Sequence, residues 1–316
     1  MQDINSEDSW DFQRARAVYD MPFFVLMDMA HDVHKANFDP QKIQISALHS
    51  IQTGGCSQDC AYCAQSIKNN TKMPKQEMSD LDTVMRAARS AKAIGASRFC
   101  MGAAGKVPDP RTFDRVCEMV RSVKELGLET CVTLGCLTDE QIQQLKEAGL
   151  DYYNHNVDTS REFYPQIITT RTIDDRIDTL RKVHEAGINL CSGGIVGMGE
   201  SVDDRIKMLL LLRSLPVAPA SVPINRLVKI AGTALENAED VDDFEIVRII
   251  ALTRIMMPTS YVRLSAGRES MSKMMQAMCF FVGANSIFSG DKLLTVANTA
   301  PEDDALLFQK LDLQAI

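Results

Sequence analysis

The stretch that decides the fold starts as Ser97-Arg98-Phe99-Cys100-Met101-Gly102-Ala103. It passes through an amphipathic segment over 111–126 and stops at Gly127. It resumes as Leu128-Glu129-Thr130-Cys131-Val132-Thr133-Leu134. Two short apolar runs flank a helix-period segment closed by glycine, which is the pattern of a strand–helix–strand unit. A connection this long joins parallel strands, because a helix must cross from the end of one to the start of the next.

The same unit repeats in both directions. Strands are expected over 43–51, 151–157, 188–195, 220–224, 260–264 and 284–288. Helices are expected over 78–94, 138–148, 173–186, 201–214 and 244–256. Gly95, Gly149 and Gly187 end three of them, and Thr138 and Ser201 cap two. Eight strands alternating with helices imply an α/β fold closed as a (β/α)8 TIM-type barrel, with an open doubly wound sheet as the alternative. The division expected is an N-terminal helical extension over 1–40, the barrel over 41–300 and a C-terminal tail over 301–316. Functional groups then belong at the C-terminal ends of the strands.

The chain has 316 residues, 45% hydrophobic and 24% charged, enough for a substantial core. Its net charge of −8 argues against a general nucleic-acid binder, which needs a basic surface. No apolar run approaches the roughly 20 residues of a membrane span, and residues 1–20 lack a signal-peptide core. A cytoplasmic location is the expectation. There, nine cysteines point to metal ligands or buried thiols rather than disulfides.

Three of those cysteines fall in one loop, Gly54-Gly55-Cys56-Ser57-Gln58-Asp59-Cys60-Ala61-Tyr62-Cys63. Three thiolates this close suit one face of an iron–sulfur cube, with one iron left for a small molecule. Cys100, Cys131 and Cys191 lie on strands two, three and five. A lone strand cysteine is usually a small buried hydrophobe. Three at matching heights beside a cluster loop argue for a second metal group. Arg263, in Tyr261-Val262-Arg263-Leu264-Ser265, needs an anionic partner to be buried there. Cys117, Cys136 and Cys279 have no such grouping and read as structural.

Asn154, Asn156 and Asp158 share one strand face by their period of two, and Asn225 follows the sixth strand. They read either as a loop edge or as a ligand site in which amides meet an amide-like group and the carboxylate meets ribose hydroxyls. His155 should face away. The glycines of Gly193-Gly194-Ile195-Val196-Gly197-Met198-Gly199 fit either a helix-entry turn or a close approach to a ligand. Asp291-Lys292-Leu293-Leu294-Thr295 is placed to close the barrel mouth.

The cysteine loop resembles that of the radical S-adenosylmethionine superfamily. Within it the chain is similar to the biotin synthase family, through five runs in family order between about 40 and 300. They are Phe99-Cys100-Met101-Gly102-Ala103-Ala104, Tyr152-Tyr153-Asn154-His155-Asn156-Val157-Asp158-Thr159, Cys191-Ser192-Gly193-Gly194-Ile195-Val196-Gly197, Ser221-Val222-Pro223-Ile224-Asn225 and Tyr261-Val262-Arg263-Leu264-Ser265-Ala266-Gly267-Arg268. The resemblance implies a sulfurtransferase that closes the ring of biotin from dethiobiotin. It implies a 4Fe–4S cluster on Cys56, Cys60 and Cys63 whose open iron chelates S-adenosylmethionine. It also implies a 2Fe–2S cluster on Cys100, Cys131, Cys191 and Arg263 that donates sulfur. Tyr62, Asn156, Asp158 and Arg176 match groups near S-adenosylmethionine, and Asn156, Asn225 and Thr295 match groups near the substrate. A homodimer and an electron donor such as flavodoxin or ferredoxin are implied as well.

The chain departs from the family's usual pattern at Gly105, Asp291 and Val296, which bears on loop packing and on the substrate's carboxylate tail. None of the cluster ligands is lost. Two rival readings are a metallocofactor maturase on the same barrel and a non-catalytic iron–sulfur protein. The first need not keep the strand cysteines with Arg263, and the second has no use for a three-cysteine loop without a fourth ligand.

Overall fold

The computed structural model describes residues 10–290 and 292–316, so Asp291 and the first nine residues lie outside the description. Eight strands pair in parallel in chain order: Lys42–Gln52, Arg98–Ala103, Glu129–Thr133, Tyr152–Asn154, Asn189–Cys191, Ser221–Arg226, Tyr261–Leu264 and Ser286–Phe288. The eighth returns to the first, Gln44 beside Ser286 and Ser46 beside Phe288, so the sheet closes into a barrel. Closure removes the unpaired edges that would rule out an open sheet's stable exposure. The fold class expected from the strand–helix repeat is the one found.

The helices begin and end where local chemistry dictates. Asp80, Asp109, Thr138, Thr172 and Ser201 each cap a helix by accepting from a backbone N–H of its first turn. Thr138–Gln141, Thr172–Asp175 and Ser201–Asp204 are reciprocal capping boxes. Asp80 explains why the helix expected from 78 starts at Leu81 instead. Gly95, Gly127, Gly149 and Gly187 take φ of 88°, 77°, 85° and 74°, the left-handed region that stops a helix.

The N-terminal helices, Phe12–Tyr19 and Phe23–Asn37, pack outside the barrel. Arg16 pairs with Asp203 at 2.7 Å, Arg248 donates to the carbonyls of Tyr19 and Met21, and Tyr19 donates to Glu245. The segment expected as a tail is instead a helix, Pro301–Leu311, followed by Gln314–Ala315 paired in parallel with Lys42–Ile43. Leu307 and Phe308 are buried, and Asp304 forms a buried ion pair with Arg268. Sequence reading missed this docking because only the fold brings residue 304 beside residue 268.

Candidate functional site

A cavity of about 330 Å³ opens at the C-terminal ends of the strands. Its lining joins segments far apart in sequence: Cys56, Cys60 and Cys63 from one loop, Cys100, Cys131 and Cys191 from three strands, and Arg263 from a fourth. Asn154, Asn156, Asp158, Arg176, Asn225, Tyr62 and Thr295 also line it. The two cysteine sets, Arg263 and the candidate ligand-binding side chains thus share one space. Cys117 and Cys279 are buried and Cys136 is partly exposed, and the three lie elsewhere.

The loop cysteines are held by backbone chemistry. Cys56 donates its N–H to Gln65 O at 3.0 Å, and Asn69 Nδ2 donates to both Cys60 O and Cys63 O. Asp59 accepts from the backbone and hydroxyls of Thr169 and Thr170, tying the loop to the barrel rim. Burial opposes the Asp59 charge, but those hydrogen bonds prevail and bring its pKa down to about 2. Burial pushes the Cys63 thiol up to about 12 and raises Cys60, with Asp158 adding to the latter. Metal binding here must therefore displace thiol protons.

Lower in the barrel, Cys100 and Cys131 are cross-strand partners, and Asn154 stands beside Cys191. All three thiols are buried together with Tyr152. Hydrogen bonding among the three packed thiols raises the pKa of Cys131 and lowers those of Cys100 and Cys191, and Arg263 and Arg98 add to the lowering. Arg263 is 1% exposed and donates to Ser286 Oγ at 2.9 Å, Ser46 Oγ at 2.9 Å and Gln44 Oε1 at 3.2 Å. No carboxylate is among those partners, so its charge is left to be balanced by the thiols above.

Arg98 was not singled out from the sequence. It is fully buried, stacks 3.5 Å above the Tyr152 ring and donates twice to Glu129, while its Nη1 has no partner. The signal was available: Arg98 lies two residues before Cys100, on the same face of the strand.

The asparagine stripe is real but extends beyond its strand, which ends at Asn154. Asn154 Nδ2 donates to Cys191 Sγ at 3.3 Å and to Asn156 Oδ1 at 3.3 Å. Asp158 adopts φ of 69° and accepts from Tyr62 Oη at 2.7 Å and Arg176 Nη2 at 2.5 Å. Arg176 also donates to Tyr164 Oη and Asn156 O, which makes it the organiser of this wall. His155, expected to face away, also touches the cavity, because strand alternation ceases at Asn154. Its ring is buried, and burial, reinforced by Arg176 and Arg171, holds it neutral.

The Gly193–Gly194 step is a site of close backbone approach within the protein itself. A Cβ at Gly193 would lie 1.9 Å from Pro223 O, and one at Gly194 would lie 2.0 Å from Met208 Sδ and 2.6 Å from Asp158 O. The hairpin Lys292–Leu293/Val296–Ala297 crosses the mouth, and Leu294 reaches Gly102, where a Cβ would stand 2.8 Å from its Cδ2.

Whether these residues suit iron–sulfur groups is decided by the donors. Among the described residues no three cysteine, histidine or acidic side chains converge tightly enough for a single ion. A multi-iron cluster divides its protein ligands among several irons and so asks for donors spread over a wider space. Two thiol triads without disulfides, the lower one backed by buried guanidinium groups, fit anionic clusters.

Residues 50–212 match the model of the radical SAM superfamily, and residues 223–314 match that of the biotin and thiamin synthesis associated domain. The barrel is similar to a methylornithine synthase (TM-score 0.82, 17% identity, 99% of this chain and 96% of that one). It is also similar to the FeFe-hydrogenase maturase HydG from Carboxydothermus hydrogenoformans (TM-score 0.82, 16% identity, 99% and 77% covered). At such identities the likeness concerns the fold alone. Fold and cysteine loop together define a radical S-adenosylmethionine enzyme.

The closer similarity is to biotin synthases: 55% identity to that of Brucella anthropi over 98% of this chain and 93% of its relative, and 54% to that of Lawsonia intracellularis over 97% of each. The chain belongs to the biotin synthase family.

Proposed function

We propose that the cavity is where dethiobiotin becomes biotin, with Cys56, Cys60 and Cys63 holding a 4Fe–4S cluster at the mouth. Cys100, Cys131, Cys191 and Arg263 hold a 2Fe–2S cluster at the floor. When bound, the upper cluster supplies the electron that cleaves S-adenosylmethionine to a carbon radical and the lower one supplies sulfur. The observation that carries this reading is the convergence of both cysteine sets and Arg263 on one cavity.

The chain's own residues contribute position, charge and dryness. Asp158, held by Tyr62 and Arg176, presents its carboxylate to ribose hydroxyls. Asn156 and Asn225 present amides to the ureido ring of the substrate, and Thr295 lies near its carboxylate tail. Arg263 and Arg98 counter the negative charge of the floor. The hairpin over the mouth excludes water, which a carbon radical chemistry requires. Val296, where a second threonine is usual, leaves the tail to Thr295 and backbone N–H groups.

We further propose the division into extension, barrel and terminal segment, a homodimer, a cytoplasmic location, and a small electron-donating protein such as flavodoxin or ferredoxin. Among the described residues no helix is long and apolar enough to cross a membrane. The test is anaerobic reconstitution followed by iron and sulfide quantitation and turnover of dethiobiotin. Biotin and 5′-deoxyadenosine are the expected products, and no cleavage of S-adenosylmethionine would overturn the enzyme reading.

A further inference from the structure

The chain carries a net charge of −8, yet the run from Cys60 to Gln76 holds Lys68, Lys72 and Lys75 and no acidic residue. All three lysines are exposed, and among the described residues none of their ammonium groups has an ion-pair partner. Lys35, Lys42, Lys124, Lys182, Lys207, Lys229 and Lys273 each face a carboxylate within 4.0 Å, and Lys92, Lys106 and Lys146 donate to backbone carbonyls. The nearby Asp109 is already engaged by Arg111 at 2.7 Å. Three exposed lysines without an ion pair are thus gathered in one short run on a negative protein.

That place is the outer side of the cysteine loop. Ile67 donates its N–H to Cys56 O at 2.9 Å, and its side chain is 63% exposed. Lys75 lies over Gly55, where a Cβ would be 2.9 Å from Cδ. The run is pinned by Asn70 N to Gly232 O at 2.7 Å and Gln76 N to Thr53 O at 2.8 Å, so the charges sit on an ordered platform. Cys56 beneath it is partly exposed, whereas Cys60 is buried.

We propose that this lysine face, with Ile67 as its apolar anchor, is the docking surface for a small acidic one-electron carrier protein. The inference rests on the reading of the loop as a 4Fe–4S site. The carrier gives up one electron and the loop's cluster gains it, with no bond made or broken. Opposite charge speeds encounter by about 10 to 1,000-fold and suits a small, short-lived interface. A partner that must leave after each electron gains from charge at the rim and little buried area.

The experiment titrates the full chain with an oxidised acidic ferredoxin by calorimetry at low salt and at about 0.5 M salt. Binding is expected to weaken steeply with salt, and K68E/K72E is expected to weaken it about tenfold or more. K35E/K42E, on the far extension and first-strand start, serves as the control and is expected to match the parent. With reconstituted protein, reduction by the ferredoxin is expected to slow in parallel while reduction by dithionite is unchanged. Binding of K68E/K72E within about twofold of the parent at low salt overturns the proposal. Absence of 5′-deoxyadenosine under dithionite overturns the functional reading instead, since the calorimetric result is independent of turnover.

Discussion

Single residues carry the two thiol sets and the spaces around them. Cys131 stands between Cys100 and Cys191, in register with the first and buried with both. Cys131→Ala is expected to abolish 2Fe–2S absorption while the loop's iron is retained, as measured by absorption spectra and iron content. Loss of both signals, or of neither, would refute the separation of the sets. Gly193 is a second residue whose identity is forced. With Pro223 O 1.9 Å from any added Cβ, Gly193→Ala has to part the fifth and sixth strands, at a cost of about 3 kcal/mol. Denaturant unfolding measures it, and an unchanged midpoint would contradict the clash. Cys100, Cys131 and Arg263 were legible from the sequence because strand alternation states which way a side chain points. Asp158 and His155 were less so, because alternation holds only within the strand and both lie past Asn154.

Elements are positioned by a few buried polar contacts that no local pattern announces. Arg268 donates to both oxygens of Asp304, to Gln276 and to Phe288 O, joining the terminal helix to the loop after strand seven. Asp304 and Arg268 are 4% and 1% exposed. Asp304→Ala leaves a guanidinium buried without its counter-charge, and a loss of about 3–5 kcal/mol is expected in chemical unfolding. Asp304→Asn, which keeps a hydrogen-bond acceptor, should lose less; equal losses would mean that packing rather than charge holds the helix. Lys273–Phe281 aside, which was not expected, the barrel helices longer than one turn were legible almost to the residue, since caps and terminal glycines are local signals. The terminal helix was not, because its stabilising partner is 36 residues away in sequence.

For the whole molecule, acid is the relevant stress. His34 is buried with neither ring nitrogen paired, and burial, helped by Arg254, lowers its pKa to about 4; His49 and His155 shift the same way. The unfolded chain therefore binds more protons than the fold as pH falls below about 6.5. Stability is expected to drop between about pH 6.5 and 4, by at most about 1.4 kcal/mol per pH unit for each histidine. Thermal midpoints at stepped pH measure this, and a flat profile down to about pH 5 would contradict it. The sequence by itself determined the strand–helix repeat, the barrel, the three-cysteine loop and the family, because spacing along a chain encodes local geometry. Only the tertiary structure decided that both thiol sets open on one cavity, that Arg98 joins Arg263 beneath the strand cysteines, and that Gly193 serves backbone packing. Those are distances between residues far apart in sequence, set by how the strands close.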